Sequence, residues 1–354
     1  MTLRIADLDT PCVLIDLDRV EANIAALQRH CGGLGLALRP HIKTHKLPEL
    51  ARLQIEAGAS GITCQKLGEA EVMADAGITD IFLPYNLLGP AKLARAVALA
   101  RRVKLSLTCD SLAVAQGLSA AFSDAELTTD VLVECETGLR RCGVQTPADA
   151  VDLAKAIAGL PGLNFGGLMT YPPPGGVEKA DQWLGAAVSA LRGAGLDCPR
   201  ISTGGSPDMW AAGGYRHATE YRPGTYIYND RSLVAYGSCT IDDCALTVLA
   251  TVISTPTPER CVIDAGSKAL TSDLMGLDGH GLVLGYPELG LHGLSEEHGA
   301  MTVPAGSARP ALGERLRIIP NHACVVSNLF DEVFLIRGDI VQACVPVAAR
   351  GRVA

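Results

Sequence analysis

The sequence has no uninterrupted apolar stretch of the roughly 18 residues needed to span a bilayer. Its first residues, Met1-Thr-Leu-Arg-Ile-Ala-Asp7, lack the basic and apolar regions of a secretory leader. Both absences predict a cytoplasmic protein that keeps away from membranes. None of the twelve cysteines forms a Cys-x-x-Cys pair, and most sit in apolar runs such as Ile62-Thr-Cys-Gln65 and Val131-Leu-Val-Glu-Cys135. Reduced, buried thiols are therefore expected. Charge is scarce, at 19 % of residues, and its net value of -8 argues against a nucleic-acid or acidic-membrane partner. Low-complexity segments are missing too. With 48 % hydrophobic residues over 354, the chain is not disordered and buries a large core, more than one ordinary domain needs.

From about residue 20 to 225, short β-like runs alternate with alanine- and leucine-rich helical stretches. The runs are Leu36–His41, Gly61–Gln65, Ile81–Tyr85, Lys104–Asp110, Asp130–Glu136, Phe165–Tyr171, Arg200–Gly204 and Glu220–Tyr226. Helical patterns such as Ala91–Arg101, Pro147–Gly159 and Lys179–Gly193 fall between them, the second opening on Thr146 as N-cap with Pro147 at the first helical position. About eight β/α repeats predict an α/β fold of (β/α)8 barrel type. A doubly wound sheet would want Gly-x-Gly-x-x-Gly after Leu36–His41, and that fingerprint is absent.

The pattern changes at Ser238. Runs at Leu246–Ile253, Cys261–Asp264, Leu282–Leu284, Arg315–Ile319, Glu332–Ile336 and Ile340–Pro346 are separated by glycine and proline turns, with no amphipathic helix of normal length. That predicts a second, mainly β domain. The apolar run Cys12–Asp16 pairs with either domain. The expected division is a barrel over residues 18–228 and a β domain made of 1–17 plus 229–354.

Arg39-Pro-His-Ile-Lys-Thr-His-Lys46 carries the clearest chemical signal. Read as a strand, it puts His41, Lys43 and His45 on one face. A lysine at a strand's C-terminal end beside two imidazoles is placed to have its ammonium pKa lowered, and a neutral amine condenses with an aldehyde. In a barrel, catalytic groups come from such strand ends. Read in order these offer Lys43, Gln65, Tyr85, Asp110, Arg141, Tyr171, Ser202–Ser206 and Tyr226. Ser202-Thr-Gly-Gly-Ser206 follows the seventh strand, where barrels commonly hold a phosphate on backbone N–H groups. An aldehyde-condensing lysine and a phosphate loop on one barrel suggest pyridoxal 5′-phosphate.

Here the chain resembles the D-threonine aldolase/D-serine dehydratase family, metal-dependent relatives of alanine racemase. The matching stretches, in family order, are Asp9-Thr-Pro11, Arg39 to Lys46, Cys64-Gln-Lys66 with Glu69-Ala70, and Gly138-Leu-Arg-Arg-Cys-Gly143. They continue with Thr203-Gly-Gly205, Asp264-Ala-Gly266, Glu297-His-Gly299 and Pro320-Asn-His-Ala-Cys324. The resemblance implies a barrel plus a β domain, a homodimer, and pyridoxal phosphate with a divalent metal, Zn²⁺ or Mn²⁺. It implies Lys43 as the catalytic lysine that bonds the cofactor, with Lys46 as competitor. Arg141 resembles the arginine on the cofactor's phenolic oxygen and Tyr171 the tyrosine near its ring. Gln65 would line the floor, and Gly204, Gly205 and Ser206 would hold the phosphate. Tyr226 and Tyr228, on one strand face, would both reach it.

His322 and Cys324, at i and i+2 of an extended segment, share a face suited to chelating a divalent ion. In the family this place carries the metal pair, and a thiolate favours Zn²⁺. The departure is Tyr171-Pro-Pro-Pro-Gly-Gly176, where many relatives carry a histidine shortly after the tyrosine. The implied activity is a lyase on D-3-hydroxy amino acids, an aldolase giving glycine and an aldehyde. A D-serine-dehydratase-type elimination stands close behind it. An amino-acid racemase and a non-catalytic pyridoxal-phosphate carrier are further alternatives.

Overall fold

The structure is a computed structural model and describes residues 2–354. The chain forms two compact units. One comprises Met1–Ile24, Thr44–Leu47 and Thr225–Gly351; the other comprises Ala25–Lys43, Pro48–Gly224 and Arg352–Ala354.

The chain enters through β1 (Cys12–Asp16) and α1 (Leu17–Gly33). Eight strands then alternate with helices: β2 (Ala37–Leu38), α2 (Pro48–Glu56), β3 (Ile62–Thr63), α3 (Leu67–Asp75), β4 (Asp80–Leu83) and α4 (Pro90–Ala100). They continue with β5 (Lys104–Cys109), α5 (Leu112–Asp124), β6 (Thr129–Cys135), α6 (Pro147–Gly159), β7 (Leu163–Thr170), α7 (Val177–Gly193), β8 (Ile201–Thr203) and β9 (Glu220–Tyr221). All pairings are parallel, in the order β2-β9-β8-β7-β6-β5-β4-β3. A parallel bridge between His41 and Thr63 joins the two ends of that order. This is the expected barrel. Thr146 caps α6 as expected, its side chain accepting from the Asp149 amide.

Several strands are shorter than the apolar runs suggested, and proline explains two of them. Pro40 has no N–H to carry the ladder further, so β2 stops at Leu38. Pro223 ends β9 at Tyr221, and Thr225–Ile227 coils into a 3-10 turn instead of extending the strand. Inside the barrel, Phe82, Leu132 and Met169 form an apolar layer. Near the N-terminal ends of the strands, Arg39 donates to Glu220 and to Asp80, each at 2.6 Å. Removing one partner of such a buried pair costs about 3–5 kcal/mol.

The second unit holds β10 (Leu246–Thr257), β11 (Arg260–Ile263), β12 (Gly281–Val283), β13 (Gly290–Leu294), β14 (Gly299–Thr302), β15 (Arg315–Pro320), β16 (Glu332–Arg337) and β17 (Ile340–Pro346). Its helices are short: α8 (Arg231–Ala235), α9 (Ser267–Leu270) and α10 (Ala323–Leu329). β1 settles here, antiparallel to β10 and parallel to β16. Leu14 of β1, Leu249 and Ile336 share one apolar cluster with Leu8 and Cys12. The sequence pattern missed β13 and β14, whose glycines at 290, 293 and 299 blur the alternation that marks a half-buried strand. Among the described residues no helix is long and apolar enough to cross a membrane.

Candidate active site

The expected strand through Arg39 to Lys46 does not form. Residues 42–45 make a turn and Lys46 has a left-handed φ of 58°. His41, Lys43 and His45 therefore do not line one strand face. In the barrel unit the Lys43 amide donates to His41 Nδ1 at 3.3 Å. His41 Nε2 meets Gln65 Oε1 at 3.0 Å, so the imidazole links the turn to Gln65 at the end of β3. The Lys43 ammonium lies 5.9 Å from the centroid of the Tyr171 ring. The same ring has the Arg141 guanidinium 5.4 Å from its centroid. Lys43, Tyr171, Arg141 and Gln65 thus gather at the C-terminal ends of the barrel strands, where sequence reasoning put them.

The Gly204-Gly205 pair is required by geometry. Gly204 has φ +97°, and a Cβ there would lie 2.1 Å from the Tyr221 ring. A Cβ on Gly205 would lie 3.0 Å from Tyr171, while Tyr221 Oη donates to the Gly205 carbonyl at 2.8 Å. The 3-10 helix Ser206–Gly214 begins directly after the pair, and Ser206 Oγ accepts from the Gly224 amide at 3.2 Å. Only a bare backbone fits at position 204, and position 205 is tight against Tyr171.

Arg141 is held by its loop. Glu136 accepts from the backbone amides of Gly138 and, at 3.0 Å, Arg141, and Asp110 accepts from Gly143 at 3.2 Å. These amide bonds hold the Glu136 carboxyl below its ordinary value, against the upward push of burial. A cavity of about 410 Å³ opens beside this loop, lined by Gln65, Tyr85, Asn86, Glu134 and Arg141 among others. Burial pushes the Glu134 carboxyl up, with Arg141, 3.9 Å away, and Arg222 pulling it back. The lip Pro172–Pro174 is tied down by the Gly175 amide, which donates to the Asp208 carboxylate at 2.9 Å.

In the β unit, His322 is the N-cap of α10 and Cys324 lies in its first turn. The pair is thus not on an extended segment as expected. It still converges, because the imidazole and the thiol hydrogen-bond each other. Burial alone would lower His322, but Cys324 and Asp273 raise it to about 9. Cys324 Sγ also lies 3.2 Å from Thr44 Oγ1 and 3.5 Å from Thr225 Oγ1. Among the described residues no group of three His, Cys, Asp or Glu side chains is arranged around a metal position, so this pair offers two donors. Tyr226 and Tyr228 belong to the turn after β9 and are buried; they do not share a strand face. The Tyr228 hydroxyl is buried without a hydrogen-bond partner among the described residues. His45 packs edge-on to the Tyr228 ring at 6.4 Å and accepts from the Leu47 amide. Lys46, the competing lysine, is buried and donates to the Ala349 carbonyl at 3.3 Å.

Sequence reasoning missed Arg222, Glu134 and Asp273. Arg222 is fully desolvated, which lowers it to about 10, and it donates to Ser202 Oγ and the Thr170 carbonyl at 2.7 Å each. A charged residue two positions past an apolar-layer residue, as Glu134 follows Leu132, was the available signal. Nothing in sequence spacing points to Asp273.

Residues 15–232 match the alanine racemase N-terminal domain, and residues 245–336 match a serine dehydratase domain. The D-threonine aldolase of Arthrobacter sp. is 38 % identical over 98 % of this chain and 94 % of its own length. The D-threo-3-hydroxyaspartate dehydratase of Delftia sp. strain HT23 is 36 % identical over 91 % of this chain and 93 % of its own. Among solved structures, the D-threonine aldolase from Filomicrobium marinum superposes with a TM-score of 0.93 at 34 % identity, covering 100 % of this chain and 98 % of that one.

Proposed function

The chain belongs to the alanine racemase N-terminal domain family, here joined to a serine dehydratase domain, and from that premise we propose a retro-aldol lyase. Its class is that of pyridoxal-phosphate-dependent lyases acting on D-3-hydroxy amino acids, in line with full-length relatives at 30–38 % identity. The observation that carries the reading is the grouping of Lys43, Arg141 and the Gly204-Gly205 backbone around the Tyr171 ring.

The residues fit the cofactor. A backbone that tyrosine rings keep free of any Cβ presents N–H groups to a phosphate, and Ser206 opens the 3-10 helix beside it. Lys43 would hold the cofactor through its aldehyde carbon, its amine being the group that condenses there. Arg141 would hold the phenolic oxygen, and Tyr171 would lie near the ring. Gln65, braced by His41, lines the floor. When bound, pyridoxal phosphate supplies an electron-poor ring that accepts the electron pair released at the substrate's Cα.

The His322–Cys324 donor pair fits a divalent ion of borderline softness, Zn²⁺ before Mn²⁺. Such an ion polarises a hydroxyl, which suits loss of the β-oxygen proton. Thiol ligation equally suits elimination, and the Delftia relative is named for that reaction. Dehydration is therefore the second reading. A homodimer belongs to the proposal on family resemblance, and light scattering on the purified protein tests it. Product analysis decides the reaction: glycine plus acetaldehyde from D-threonine supports the proposal, and a keto acid plus ammonia as main products overturns it.

A further inference from the structure

The three residues at the entrance to α10 are each fastened by hydrogen bonds. Asn321, fully buried, donates its side-chain amide to the carbonyls of Gly279 at 2.8 Å, Asp273 at 3.2 Å and Leu274 at 3.3 Å. Its own Oδ1 accepts from Arg231 at 3.1 Å. Ala323 donates its amide to Asp230, a buried carboxylate that also caps α8 through Leu233. Between these anchors, His322 Nδ1 lies 2.8 Å from Asp273 Oδ2. Asn321 thus fixes the backbone that presents Asp273 to the residue next to it in sequence.

The chemistry of that contact has one direction. A carboxylate only accepts, so His322 Nδ1 carries the proton and donates it. The other ring nitrogen, Nε2, is then left for the neighbouring Cys324 thiol or for an ion held with it. A metal binds an imidazole through one ring lone pair in a fixed direction, and a carboxylate holding the N–H of the far nitrogen fixes both the tautomer and the ring orientation. We propose that Asp273 is the positioning residue of the metal pair, fixing the His322 tautomer and ring direction so that Nε2 and the Cys324 sulfur face one ion. This rests on the proposed metal role of His322 and Cys324.

Stability is a poor explanation for the contact. The Asp273 side chain is 46 % exposed, and an ion pair so open to water contributes little to stability. Orientation of a metal ligand by such a partner is worth far more to the ion, about 10- to 100-fold in affinity.

The test is Zn²⁺ affinity of the full-length protein, measured by competition with a chromophoric chelator. It compares the native chain with Asp273→Ala, Asp273→Asn and Cys324→Ala. Asp273→Ala should bind Zn²⁺ about 10- to 100-fold more weakly. Asp273→Asn, which keeps an acceptor but not the charge, should fall between it and the native chain. With Co²⁺ as probe, the thiolate-to-metal absorption band should persist in Asp273→Ala but saturate at higher cobalt. Cofactor absorbance and the thermal midpoint should be nearly unchanged, which a merely structural residue would not allow. Native-like Zn²⁺ affinity in Asp273→Ala, with Cys324→Ala deficient, overturns the role of Asp273 alone. Failure of the native chain to bind Zn²⁺ at all overturns the metal pair itself and this role with it.

Discussion

The ring of Tyr221 stands 2.1 Å from where a Cβ on Gly204 would be, so the second ring at this end of the barrel reserves position 204 for glycine. Its φ of +97° imposes the same choice through the backbone. Gly204→Ala should therefore weaken pyridoxal phosphate binding by more than tenfold, since strain and overpacking each cost about 1–3 kcal/mol. Gly205→Ala meets Tyr171 at the looser distance of 3.0 Å and should cost less. Fluorescence titration with the cofactor reads both, and equal losses in the two variants would contradict the cradle.

The two lysines of the Arg39–Lys46 stretch differ in what holds them. The Lys46 ammonium is buried against the Ala349 carbonyl, whereas Lys43 lies over the Tyr171 ring. Borohydride reduction followed by peptide mapping should place the cofactor on Lys43. Lys43→Ala should lose the bound-cofactor absorbance. Lys46→Met should keep it and lose about 1 kcal/mol of stability with the hydrogen bond. A label on Lys46 would reverse the assignment.

Much of this was legible because barrel chemistry is tied to strand ends. The β/α alternation alone puts Lys43, Gln65, Arg141, Tyr171 and the glycine pair on one rim. Pro40 and Pro223 cut β2 and β9 short against the apolar pattern, which is why neither Lys43 nor Tyr226 sits on a strand. The His-x-Cys spacing drew attention to His322 and Cys324 for a geometry they do not have. They meet across a helix N-cap instead. Asp273 was invisible, because a contact between residues 49 positions apart leaves no periodic trace.

Glu134 gives a pH prediction. Burial raises its carboxyl above the ordinary value despite Arg141 and Arg222. A raised acid binds more protons folded than unfolded, so its contribution to stability falls as pH rises from the unfolded value through the folded one. Glu134→Gln removes that loss. At pH 7 the variant should melt higher than the native chain, and the gap should close as pH drops below the unfolded carboxyl's range. Calorimetry at several pH values checks this, and a variant that melts lower at pH 7 would show the ion pair outweighing burial.

Metal removal tests the donor pair independently of the cofactor. Chelation should abolish lyase turnover while the cofactor absorbance stays, because the Lys43 group and the His322–Cys324 pair are separate sets of side chains. Zn²⁺ or Mn²⁺ should restore turnover. Cys324→Ala should resemble the chelated protein even with metal supplied, since a single imidazole holds an ion far more weakly than a two-donor site. Full turnover by metal-free protein would remove the metal from the reaction.

The reaction itself is decided by which proton leaves. Retro-aldol cleavage takes the proton of the β-oxygen and breaks Cα–Cβ; elimination takes the Cα proton and expels the β-hydroxyl. In this chain the lip after Tyr171 is three prolines, tied down through Gly175 and Asp208. Prolines donate no N–H and hold no proton, so the lip can supply no acid or base. The proton-free lip and the Cys324 thiol count against cleavage; the full-length likeness to a D-threonine aldolase counts for it and decides the proposal. D-Threonine should yield glycine and acetaldehyde with little ammonia, and L-threonine should be inert. In deuterium oxide, D-threonine recovered at partial conversion should retain its Cα–H, since cleavage never breaks that bond. Faster formation of pyruvate and ammonia from D-serine than of glycine from D-threonine would make the chain a dehydratase, with the Cys324 thiol as the feature that marked it.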